Sequence, residues 1–142
     1  MTETEKWDYL TSLDDKHMRG GYILSEWAVF VVKQADLAFI HGAYLPAIIT
    51  AVSAAETHLR SEHGASGKIS FQKLIDSSSI NDALKNKLHK LRQYRNKWVH
   101  IENPWEDSQI LNDENEIEQE LELMATMAVE VLRETIYETP WV

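Results

Sequence analysis

Arg95, Asn96 and His100 place a cation, an amide and an imidazole within six consecutive positions of the chain. A guanidinium stays charged and offers a planar fork that matches phosphate oxygens, and an imidazole exchanges protons near neutrality. The stretch that leads to them is cationic throughout. Lys85, Lys87, Lys90, Arg92, Arg95 and Lys97 follow one another with no acidic residue between them. Such a run is either a solvated helix face balanced by acids elsewhere or a local phosphate-binding surface. Asn96 and His100, four apart, share a helix face. Arg95 and His100, five apart, fall about 140° from one another on an ideal helix. They converge only if the helix ends or bends near Val99, which the following Asn103-Pro104 favours, or if a second copy of the chain supplies one of them.

Arg95 has a counterpart. The apolar stripe Leu84, Leu88, Leu91 continues by one helical step onto Arg95, and the stripe Ile49, Val52 continues onto Glu56. Each helix thus turns one charge towards the interior, and the signs are opposite. Leaving a buried charge without its partner costs roughly 3–5 kcal/mol. The spacing therefore predicts a Glu56–Arg95 pair across the fold, the alternative being that both heads reach water at the rim of the core. Other chemistry is less well served. His58 and His63 are five apart with no third ligand beside them, so no zinc site is expected there, and no glycine-rich phosphate loop is present.

The elements that must carry these residues read as helices. The chain has 142 residues, 44% hydrophobic and 26% charged, with three Pro, five Gly and no Cys. That composition suits one all-α domain in a reducing compartment, without a disulfide framework. The opening residues MTETEK show no signal-peptide pattern, so a cytoplasmic protein is expected, and no apolar run is long enough for a bilayer. Residues 22–41 carry a stripe at Ile23, Trp27, Phe30, Val31, Leu37 and Ala38, and Gly42 follows as a stop. Residues 44–62 repeat the period, with Pro46 in the first turn. A short helix capped by Ser70 comes next, and Ser79 with Asp82 resembles a capping box for the helix that leads to Trp98. The last helix presents Ile117, Leu121, Met124, Ala128, Val131 and Thr135, with five glutamates in its first turns where the dipole favours them. These elements predict an up-and-down helical bundle of four main helices plus a short one over residues 22–142. Residues 1–21 are expected to form an arm or an extra helical turn.

Charge is unevenly spread over this plan. The net charge is −9, yet residues 57–100 hold nine basic and three acidic residues, whereas residues 101–142 hold one basic and twelve acidic. A nucleic-acid partner, which the total disfavours, is thus compatible with one region of the chain.

The run from Leu88 to His100, LHKLRQYRNKWVH, resembles the signature helix of the HEPN superfamily, in which Arg and a following polar residue precede a His near a helix end. Residues 44–59, with Glu56, resemble the second helix of that family, and the likeness extends over roughly residues 22–138. It implies a homodimeric, metal-independent endoribonuclease that needs no cofactor. Arg95 would stabilise charge on the phosphorane, and His100 would act as general acid and base. Asn96 would hold His100 or a phosphate oxygen, Glu56 would orient Arg95, and Lys87, Lys90, Arg92 and Lys97 would steer RNA. Attack by the ribose 2′-hydroxyl would leave a 2′,3′-cyclic phosphate and a 5′-hydroxyl, with DNA inert. A toxin or antiviral-defence setting and an antitoxin protein partner are further implications. Some toxins of the family carry a Tyr two positions after the His that their antitoxins modify; here that position is Glu102, so this mode of silencing is not expected. The other reading is a non-catalytic dimeric module that binds a protein partner, a nucleotide or RNA.

Overall fold

The computed structural model describes residues 1–22, 24–62, 68–105 and 113–138. Among these there are six α-helices and no strand: α1 (Glu3–His17), α2 (Glu26–Ile40), α3 (Tyr44–Glu62), α4 (Phe71–Ser77), α5 (Asp82–Val99) and α6 (Glu114–Ile136). They form an all-helical bundle. α3 and α6 are its central pair; α2 packs on α3, α1 and α5 lie against α6, and short α4 joins α3 to α5. No helix among the described residues is long and apolar enough to cross a membrane.

Local chemistry explains most boundaries. Side-chain oxygens of Thr2, Ser25, Ser70 and Asn81 accept N–H groups of the first turns of α1, α2, α4 and α5. The cap of α5 is thus Asn81, which receives Leu84 N at 2.9 Å, and not the expected Ser79. Asparagine is as good a cap as serine, and it stands directly before Asp82, the first helical residue. Between α2 and α3, Gly42 adopts φ +78°, a left-handed conformation that a side chain would strain, and it turns the two helices into a hairpin.

Two elements differ from expectation. Residues 3–17 form a full helix of 15 residues, not an arm or a single turn, and Leu10 and Leu13 enter the core. The apolar stripe of α1 is thin, and much of its attachment is polar. Lys6 is buried, donates to Ile40 O at 3.4 Å and lies over the rings of Phe39 and Tyr44. Hydrophobic periodicity carries little of that signal. In α2 the buried residues are Ala28, Ala35, Phe39 and Ile40, while Trp27 and Phe30 of the expected stripe remain 45% and 62% exposed. The sequence of α2 is apolar on nearly every side, so its period does not select a face; Asp36, drawn to a cation on α6, helps to do so. Ile23 lies outside the described residues. On α6, by contrast, all six residues of the expected stripe are buried.

Candidate functional site

α5 ends at Val99. His100 leaves helical geometry at φ −129° and ψ 63°, and its N–H caps the helix by donating to Asn96 O at 3.0 Å. The expected break near Val99 is therefore present, some residues before Asn103-Pro104. One turn earlier, Arg95 continues the stripe of Leu84, Leu88 and Leu91, all buried. Its Nη1 stands 3.4 Å from Glu56 Oε1 on α3. With 17% and 24% of the two side chains exposed, the pair sits at the rim of the core, made but not sealed from water. Arg95 Nη2 donates to Asn96 Oδ1 at 3.5 Å, and the guanidinium lies 5.8 Å from the Phe71 ring centre. These bonds are long beside the 2.7–2.9 Å typical of charge-assisted ones, so a fork with five N–H donors keeps capacity for an oxyanion.

Glu56 is also held by Arg60, whose Nη2 and Nε approach the same Oε2 at 2.7 and 3.2 Å. The spacing of four along α3 was the signal for that second partner. His100 is exposed, and among the described residues no hydrogen bond or ion pair joins its side chain to Arg95 of the same chain.

The four cations expected to steer RNA do not share one surface. Lys87 donates to Glu134 of α6 at 3.0 Å. Arg92 Nε donates to His89 Nδ1 at 3.4 Å, and His89 Nε2 meets Asp76 Oδ1 at 2.7 Å, on the other flank of α5. Lys97 lies 5.7 and 5.6 Å from the ring centres of Tyr94 and Trp98. Lys90 is exposed and, seven residues before Lys97, shares its outward side. Tyr94 and Trp98 themselves pack against the core with ring centres 6.5 Å apart. Burial raises the Tyr94 phenol above its ordinary value, opposed by the Trp98 indole, although the two groups do not meet in good hydrogen-bond geometry.

A second polar centre was not anticipated. Arg133, the single basic residue after His100, is 3% exposed on α6. It donates to both oxygens of Asp36 on α2 at 2.9 and 2.8 Å, to Asp14 Oδ1 on α1 at 3.0 Å and to Val129 O at 3.3 Å. Burial alone would lower its pKa, but Asp36 and Asp14 more than reverse this. Burial pushes the Asp36 carboxyl up against the pull of Arg133. Tyr137 donates to Asp14 at 3.0 Å, and burial together with that carboxylate pushes its phenol up to about 12. The signal was available: Arg133 follows the buried Ala125 and Val129 by helical steps, as Arg95 follows Leu88 and Leu91.

Nearby, Glu130 receives Lys16 at 3.2 Å and lies 3.4 Å from His17 Nε2. Burial works to raise the Glu130 carboxyl, but Lys16 and His17 outweigh it and hold the pKa below its ordinary 4.5. In the comparison with known proteins, no family model, no curated protein and no solved structure matches the chain.

Proposed function

We propose that the chain is a metal-independent endoribonuclease that works as a homodimer, with Arg95 and His100 of the two copies at one cleft. The observation that carries this reading is the end of α5. Glu56 and Asn96 orient a guanidinium with donors to spare, and the helix stops within the next turn to leave His100 exposed. The likeness of residues 88–100 to the HEPN signature supplies the reaction class. His100 takes the proton of a ribose 2′-hydroxyl, whose oxygen attacks the adjacent phosphorus. Arg95 stabilises the added charge on the non-bridging oxygens, and the departing 5′-oxygen takes its proton from the imidazolium of the second copy's His100, so that one proton is taken up and one released in the step. Lys90 and Lys97, which project outwards, are the steering cations that this geometry favours, whereas Lys87 and Arg92 are engaged within the fold. A cytoplasmic setting and an antitoxin partner belong to the same proposal.

The test is cleavage of a mixed RNA substrate in EDTA by the wild type and by folded Arg95→Ala and His100→Ala variants. The expected result is 2′,3′-cyclic phosphate ends, loss of at least a hundredfold in rate for either variant, and an inert all-deoxy substrate. Equal cleavage by all three proteins would refute the assignment.

One observation favours the second reading, a non-catalytic dimeric interaction module. Val99, Ile101 and Trp105, which flank His100, are exposed, Trp105 almost wholly at 99%. Exposed apolar groups beside a helix end are typical of a surface that another protein covers. Under that reading the wild type shows no cleavage, and Trp105→Ser weakens self-association or partner binding.

A further inference from the structure

Apart from the Glu56–Arg95 pair, three side chains of metal-binding type converge where α1 meets α6. His17 comes from the last turn of α1; Glu130 and Glu134, one helical turn apart, come from α6. One ligand atom of each lies within 4.8 Å of the other two, and among the described residues no other group of three does so. All three side chains are largely covered.

His17 Nε2 and Glu130 Oε1 are 3.4 Å apart, long for a hydrogen bond between them. Two ligands at about 2.0–2.1 Å from a tetrahedral zinc ion stand about 3.4 Å from one another, so this separation already fits. A cleft of about 350 Å³, lined by His17, Glu134, Arg19, Asn81, Tyr137 and Glu138, opens beside the group. Three protein ligands with an accessible fourth position are the arrangement of zinc sites that keep an exchangeable ligand. Two ammonium groups compete for the same oxygens, Lys16 at Glu130 and Lys87 at Glu134. Both are on long, partly exposed side chains that can swing into solvent.

We infer that His17, Glu130 and Glu134 bind a zinc-type divalent cation that ties α1 to α6, with its fourth position open to the cleft. One imidazole and two carboxylates suit zinc, whereas magnesium demands near-octahedral oxygen ligands. Because binding requires the folded juxtaposition of two helices, it raises thermal stability. The site does not involve Arg95 or His100, so it is independent of the nuclease reading.

The experiment uses the full, tag-free chain, stripped with EDTA and dialysed, and titrated with zinc chloride or magnesium chloride by calorimetry and thermal unfolding. The expected result is one zinc ion per chain and a rise in Tm that magnesium does not reproduce. His17→Gln and Glu134→Gln each weaken binding at least tenfold, and Lys87→Met tightens it several-fold by removing a competitor. Should either weakening variant fail to fold, wild-type protein treated with diethyl pyrocarbonate decides. Zinc shields His17 from modification and leaves the exposed His41 and His100 reactive. Absence of zinc binding, undiminished binding in the folded variants, or no shielding of His17 overturns the inference.

Discussion

At the scale of the residue, Glu56 and Arg95 set the terms. Their partial exposure places the pair among those worth about 0.5–1 kcal/mol, well below the cost of a sealed one. Glu56→Gln is therefore expected to lower stability by no more than about 1 kcal/mol in a urea melt. It should nevertheless reduce RNA cleavage, because a neutral amide oxygen holds the guanidinium less firmly than a carboxylate does. Arg95→Lys should not restore the rate, since an ammonium cannot present two parallel donors to a phosphate. Glu130 gives a pH prediction. Its folded pKa lies below the ordinary 4.5, so the stability it contributes is present above about pH 4.5 and is lost as the pH falls through the folded value. Melting curves between pH 3 and 7 should show that Glu130→Gln removes part of the acid sensitivity of the wild type. The opposed charges at positions 56 and 95 were legible in the sequence because each interrupts an apolar stripe. Arg60 and Asp76 carry no such mark: charged side chains four apart are common on any helix, and Asp76 reaches His89 only through the packing of α4 on α5.

At the scale of the element, caps and faces separate what local sequence determines from what the assembled bundle decides. The bounds of α3, the Ser70 cap and the buried stripe of α6 follow from short-range patterns. For α5, both Ser79 and Asn81 are plausible caps by residue type, and only the bond to Leu84 N distinguishes them. Asn81→Ala is expected to cost about 1 kcal/mol and Ser79→Ala less than about 0.5 kcal/mol, measured by chemical denaturation. The inward face of α2 lay beyond local reading, because apolar residues surround that helix and the choice depends on where Asp36 finds its cation. The attachment of α1 was equally hidden: two leucines are a weak period, and Lys6, Tyr9 and Asp14 acquire their partners only in the folded state.

At the scale of the whole molecule, the chain divides its charge. The cationic α5 faces Glu134 of the acidic α6 through Lys87, so part of its positive charge is spent internally. The same acidic segment sends its one cation, Arg133, into the interior between two aspartates. Arg133→Met should destabilise the bundle by about 3–5 kcal/mol, because Asp36 is left without its counter-charge. Arg133→Met combined with Asp36→Leu should recover most of the loss, and calorimetric melting of the two variants checks both statements. That cluster also governs the order of events during synthesis. The bonds from Arg133 span 119 residues to Asp14 and 97 to Asp36. α1 and α2, made before α6, therefore carry acids whose neutralising partner has yet to be translated, and these ion pairs form only once α6 has emerged. Helical though it is, the protein has to close long loops before these contacts reward it, and it should fold more slowly than a bundle stitched together by neighbours.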